Sequence, residues 1–376
     1  MIKIDRSNIS RLASIYRKGT SAKKGMYAFV VDRVAFLQLL MAVHLGTKKY
    51  TDIVASTLIH DASKNSMINA FKPATKRTKS FPKTGHFTFG SSHRHLLGDI
   101  TAICTWLSDT KNLNALLGGL PADLLPLETK FNAIFSKAGN QADLAFVVKM
   151  LISYPHFQKQ KTKHINGYDL AALLDTRACV YCNRQYTLTV IAKDEVTRPE
   201  FDHFYSQSEH PLLALSFYNL IPSCHICNAT LKGSLKSAKE LIHPYLDGFD
   251  DHVKFRYKFT KLKRYITDPE NFDLYLENLA TGKLKDRLDN NLEVFKLQEI
   301  YLGHKDLLAE IYVKAKRYDG AYLKDFFKKF PAMKGRTTEA SIYQYYFGNY
   351  KDPKNFDKRI MAKFTADIVE TFKLKF

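Results

Sequence analysis

The sequence predicts an α+β protein with mainly helical flanks around a small module stapled by two cysteine knuckles. Three observations carry that prediction. Two Cys-x-x-Cys knuckles, Cys179–Cys182 and Cys224–Cys227, stand 41 residues apart near the middle of the chain. Apolar residues recur at helical spacing through most of the first 165 residues and again after residue 297. Two short runs, 253–259 and 272–277, alternate with period two, as strands with one buried face do.

The N-terminal region, 1–165, reads as mostly helical. A helix-length apolar run holds Val34, Leu37, Leu40 and Val43, and Asp52–His60 and Asp99–Leu107 continue the pattern. Asp143 is placed to cap a helix that stops near Pro155. Between these lies a basic loop with Lys76, Arg77, Lys79 and Lys83, its prolines and glycines forbidding a regular helix. These four cations are candidate phosphate contacts. Phe81, Phe87 and Phe89 beside them either stack on unpaired bases or pack onto the helices. A second loop, 156–164, links this region to the cysteine module at 166–250. The C-terminal region, 251–376, begins with the two strands and continues with helices at 297–318, 322–330 and from Phe356 onward.

Composition narrows the function classes. A chain of 376 residues has room for two or three domains, and 45% hydrophobic content is that of a globular protein. The longest apolar stretch, Val34–Val43, is interrupted by Gln38 and covers about half a bilayer, so no membrane span is predicted. No signal-peptide pattern opens the chain, which predicts a cytoplasmic protein with reduced, metal-bound thiolates. Cys104, in an apolar run, reads as a core residue. The net charge of +20 is unevenly spread: +15 over residues 1–165, −3 over 166–250 and +8 over 251–376. A near-neutral island between basic flanks suits a polyanionic partner held by phosphate contacts.

Two knuckles close a tetrahedral site from four thiolates, Cys179, Cys182, Cys224 and Cys227. Such a site has no open position, so the zinc it implies is structural; a redox Cys-x-x-Cys pair and an iron site are the competing readings. Between the knuckles lie Asp202-His203, then Asn219, with Asn228 directly after the last cysteine and Lys232 four residues on. An oxygen-donor pair suits Mg²⁺, which keeps waters and takes phosphate oxygens. A neutral imidazole can take a proton from water near neutral pH. Lys232 is one helical turn past Asn228 and can face the same phosphate. His225 reads as an exposed turn residue rather than a second metal ligand, His210 and His243 as phosphate contacts or local hydrogen-bonding structure, and Tyr181 and Tyr186 as core.

The residues Phe201-Asp202-His203-Phe204, Asn219 and Cys224-His225-Ile226-Cys227-Asn228 through Lys232-Gly233 resemble the HNH (ββα-metal, His-Me finger) endonuclease superfamily. More narrowly they resemble its treble-clef-like, zinc-stapled branch, similar to McrA-like nucleases and to HNH proteins of bacterial anti-phage systems such as Septu. The likeness covers roughly residues 175–250. It implies Asp202 and Asn228 as ligands of one Mg²⁺ (or Mn²⁺), His203 as general base and Asn219 as the residue that ties the loop and orients His203. One departure is Tyr205-Ser206-Gln207, where many members carry a proline. The resemblance implies phosphodiester hydrolysis, DNA as the default substrate with RNA as the alternative, and a regulatory ATPase or sensor partner. A zinc-stabilised nucleic-acid-binding protein without catalysis is the rival reading.

Overall fold

The computed structural model describes residues 1–4, 7–134, 141–160, 162–192, 196–233, 240–318, 325, 328–331 and 338–374. It is a mixed α and β structure with more helix than strand. The regions 1–165, 166–250 and 251–376 divide the chain by charge and motif; compactness divides it otherwise. One unit comprises Met1–Ser7, Ala171–Asp202 and Ile221–Phe376, the other Asn8–Leu170 and His203–Leu220.

The second of these is helical. It contains α1 (Ile9–Lys18), α2 (Met26–His44), α3 (Tyr50–Ala55), α4 (Asp61–Phe71), α5 (Ser91–Arg94), α6 (Leu97–Ser108), α7 (Thr110–Gly118), α8 (Pro121–Asn132), α9 (Gln141–Leu151) and α10 (Tyr154–Phe157). The apolar run around Val34 lies within α2, which packs against α1, α6, α7 and α9. By length and composition α2 could cross a membrane. Here it is a core helix, burying Val34, Leu37 and Leu40. The pattern at Asp52–His60 yields only the short α3, which ends at Ala55, and the chain re-enters helix at Asp61. Asp109 caps α7 by accepting from the Asn112 amide. Asp143 sits in the first turn of α9, where its charge suits the helix N-terminus, instead of ahead of it. Tyr16 closes this core: its ring meets Phe157 and Phe217, and its hydroxyl donates to the Leu215 carbonyl at 2.9 Å.

The basic loop is built onto α4. Asn69 accepts from the Thr78 amide and donates to the Thr78 carbonyl, and Asn65 donates to the carbonyls of Thr78 and Lys79. Phe87 and Phe89 are buried, Phe89 against Phe71, so of the two readings open for them packing is the one observed. Phe81 lies beneath the ammonium groups of Lys64 and Lys83.

Among the described residues there are three two-stranded sheets: β1 (Val190–Ile191) with β2 (Val196–Thr197), β3 (Glu200–His203) with β4 (Leu220–Ser223), of which His203 and Leu220 are grouped with the helical unit, and β5 (Val253–Phe259) with β6 (Phe272–Asn278). The two runs of period two therefore pair, antiparallel, from Val253 opposite Asn278 to Phe259 opposite Phe272. Their inward residues Phe255, Phe272 and Leu274 join Tyr301, Leu308 and Phe364 in one core. After α11 (Gly167–Leu174), the helices here are α12 (Gly282–Val294), α13 (Leu297–Leu302), α14 (Lys305–Arg317) and two near the C-terminus, Glu339–Phe347 and Ala362–Glu370. The helical stretch at 297–318 is thus two helices broken at Gly303. Most of the stretch at 322–330 lies outside the described residues.

Candidate metal centre

The four knuckle sulfurs lie within 4.8 Å of one another and all four cysteines are buried. Thiolates at about 2.3 Å from a central Zn²⁺ are separated by distances of this order, so the cluster can hold zinc. The first knuckle is braced from several directions. The Arg184 amide donates to Cys182 Sγ at 3.4 Å, and the Tyr301 hydroxyl donates to the Cys182 carbonyl at 2.7 Å. Asn183, directly after the knuckle, is in the left-handed region (φ 50°), which asparagine tolerates. Its buried amide donates to the Phe356 carbonyl, and its carbonyl accepts from the Met361 amide. The knuckle therefore anchors the C-terminal helix.

The second knuckle runs into a π-helical segment, Ile226–Lys232, that ends at Gly233 with φ 50°. A π-turn widens the helix by one residue and recurs at functional sites. Here it re-aims Asn228 and Lys232. Asn228 Nδ2 donates to Glu200 Oε2 at 2.8 Å, and His225 Nδ1 lies 2.8 Å from Glu200 Oε1. Lys232 Nζ donates to Asp202 Oδ1 at 2.9 Å, and the Tyr181 hydroxyl donates to Asp202 Oδ2 at 2.6 Å. Burial and the adjacent Asp202 carboxylate push the Tyr181 phenol well above its usual value, so it stays a donor.

Asp202, Asn228 and Lys232 each have protein partners. Asp202 and Asn228, read as one ligand pair, share no hydrogen bond; among the described residues Asp202 is matched with Lys232 and Tyr181, and Asn228 with Glu200. Lys232, read as a phosphate contact, is 4% exposed and ion-paired to an Asp202 that is 2% exposed. The physical reason is that a buried carboxylate needs a counter-charge, and leaving one alone costs about 3–5 kcal/mol. Lys232 supplies that charge from within the same segment. Tyr181 is core, as expected, but also carries a bond to Asp202; Tyr186 is half exposed instead of core. Glu200 escaped the sequence reading. Its signal was present: two residues before Asp202 on a strand, it shares the Asp202 face.

His203 and Asn219 belong to the helical unit. His203 Nε2 lies 3.0 Å from the Ala214 carbonyl, and its ring meets Tyr154 edge-on at 4.4 Å. A carbonyl only accepts, so Nε2 carries the proton and Nδ1 the basic lone pair. Asn219 is fully buried. Its Oδ1 accepts from the Tyr205 amide at 2.7 Å, and its Nδ2 donates to the carbonyls of Tyr205 and Leu213. It therefore pins the chain leaving β3 to the turn that ends at Ala214, whose carbonyl holds His203. His210 pairs with Glu128, 82 residues away, at 2.6 Å, and His243 Nδ1 accepts locally from the Tyr245 amide. His225 is exposed. In the basic loop Lys76, Arg77 and Lys79 are exposed, and Lys83 is paired with Asp61 at 2.6 Å.

Comparison with known proteins adds one relationship. The chain is similar to the Septu protein PtuB of Bacillus thuringiensis, 35% identical over 90 residues. The match covers 23% of this chain and 32% of the relative, so the chain spans about a third of the length of the protein it matches. No family model matches the chain. No solved structure matches it.

Proposed function

We propose that the protein is a zinc-stapled, metal-dependent endonuclease of the HNH type that hydrolyses phosphodiester bonds of nucleic acid, with DNA as the first substrate and RNA as the second. The observation that carries the reading is the hold on His203. A carbonyl bond at Nε2 fixes the tautomer whose Nδ1 can take a proton from water, and Asn219 stiffens the loop that makes the bond. In this reading β3, β4 and the segment Ile226–Lys232 form the ββα unit, with the zinc cluster holding its two ends.

His203 Nδ1 takes a proton from a water molecule as that water attacks phosphorus. The bond from phosphorus to the 3′ oxygen breaks, the departing oxygen is protonated from solvent, and a 5′-phosphate remains. Mg²⁺ or Mn²⁺ fits the oxygen donors of Glu200, Asp202 and Asn228, and when bound it supplies positive charge for the phosphorane and the leaving oxygen. Glu200 and Asn228 already meet, and Asp202 would join them on release from Lys232, whose ammonium would then face the phosphate. The likeness to a Septu protein supports a role in defence against phage, with an ATPase or sensor partner restraining a nuclease of net charge +20.

One observation favours a second reading, a zinc-stabilised nucleic-acid binder without catalysis: both Asp202 oxygens are already engaged by protein donors. Glu200→Gln and Asn228→Ala test the roles given to these residues in the nuclease reading. The nuclease reading expects each to lower Mg²⁺-supported cutting by about 10²-fold or more while zinc stays bound. Unchanged cutting in both variants, or loss of zinc, would remove Glu200 and Asn228 from the site.

A further inference from the structure

The helical unit has a cavity of about 540 Å³ lined by residues from 29–63 and 156–164. Its charged lining is of one sign: Arg33, Lys159 and Lys163, with His60, His156 and His164 between them, and no described carboxylate faces it. Asp32 lies behind the wall, 3.4 Å from His164 Nε2 and 3.6 Å from Lys24 Nζ. Arg33 is 3% exposed, and two of its nitrogens, Nε and Nη2, donate to the Met150 carbonyl, a neutral acceptor. Among the described residues no carboxylate lies within ion-pair distance of it. Burial pushes its guanidinium down to about 10, and burial together with Arg33 and Lys159 pushes His156 down to about 4. A buried cation without a counter-ion is costly, and a bound anion removes that cost. Lys163 Nζ donates to a carbonyl as well, that of Leu58.

Phe29 lies against these cations, the Arg33 guanidinium 5.4 Å from its ring centroid. Phe29 stacks on the His156 ring at 5.1 Å with 27° between planes, and Ile59 lies beside them. Thr57, Ser63 and Thr162 add hydroxyls. The volume is more than an inorganic phosphate fills and falls in the range of small-molecule sites. We infer that this cavity binds a nucleoside phosphate, its phosphates on Arg33, Lys159 and Lys163 and its base against Phe29 and Ile59. The inference does not depend on the nuclease reading. It gives the chain a small-molecule site of its own, separate from any contact with a polymer.

Calorimetric titration of the full-length protein with ATP, AMP, adenosine and inorganic phosphate tests it. ATP and AMP are expected to bind saturably, adenosine not, and phosphate at least 10-fold more weakly than AMP. The double variant Lys159→Gln/Lys163→Gln, which changes two exposed side chains and leaves the core intact, is expected to weaken AMP by about 10-fold or more. Arg33→Gln should weaken it further if it folds. Absence of saturable ATP and AMP binding overturns the inference, as does equal affinity in the double variant. Displacement of AMP by an oligonucleotide without terminal phosphates also overturns it, since the cavity would then belong to a nucleic-acid track. Binding retained in His203→Ala separates this result from any failure of the nuclease.

Discussion

Replacing His203 by alanine is expected to lower phosphodiester cleavage by about 10²–10⁴-fold, the usual contribution of a positioned general base, with nucleic-acid affinity unchanged. Losing the imidazole's bond to the Ala214 carbonyl costs about 1–2 kcal/mol of stability, too little to unfold the helical unit. Single-turnover rates, filter binding and a melting curve on the same preparation read the three quantities apart. A rate loss with intact binding and an intact fold assigns chemistry to His203. An unchanged rate would move the base elsewhere, and parallel loss of rate and melting temperature would make His203 structural. His203→Gln should behave like alanine in rate, because an amide cannot take the proton, yet keep more of the stability.

The second large effect is expected at the knuckles. Cys179→Ser, or removal of zinc by a strong chelator, should unfold the unit that contains the cluster. Structural zinc sites contribute on the order of 10 kcal/mol or more of folding free energy, which is comparable to a whole domain's stability. The structure spreads that loss widely. The knuckle holds Asn183 and through it Met361 at the start of the C-terminal helix, and Tyr181 carries Asp202. Cutting should therefore vanish along with the fold. Zinc content by metal analysis, with circular dichroism, checks this: one zinc per chain in the wild type, less than about a tenth of that in the variant. Cys104→Ala is the control. Cys104 is buried in α6, burial pushes its thiol up to about 12, and zinc content should not change. A folded Cys179→Ser protein with full zinc content would refute the cluster.

Much of this architecture is legible in the amino-acid sequence. Cys-x-x-Cys spacing places two thiols on one turn, and the four sulfurs do converge across a 41-residue interval. Alternation in 253–259 and 272–277 specifies both strands and their shared inward face, since period two has one solution when one face is buried. The helices at Val34, Asp99 and Asp143 are readable from apolar residues at helical spacing, although their ends are not.

What escapes a sequence reading depends on contacts distant along the chain. Nothing local distinguishes Lys232 from a solvated lysine on a helix; only the position of Asp202, thirty residues back, makes it a buried counter-charge. The π-turn that aims it has no period to read. Asn183 follows a cysteine as Asn228 does, and only its left-handed backbone and buried partners set it apart. Glu200 can be found by counting two back along the strand from Asp202. The two compact units cannot, because each is assembled from separated segments, whereas charge and motif are read along the chain.

The central claim is that the protein cuts nucleic acid with a divalent metal. Incubation of the wild-type protein with plasmid DNA, single-stranded DNA and bulk RNA, with Mg²⁺ or Mn²⁺ and without either, tests it most directly. The account predicts internal cutting of at least one polymer only when the metal is present, leaving 5′-phosphate ends, and the preferred polymer identifies the substrate class. Tight, salt-sensitive binding with no cutting of any polymer, in buffer or in extract of phage-infected cells, would contradict it and leave a zinc-stabilised nucleic-acid-binding protein.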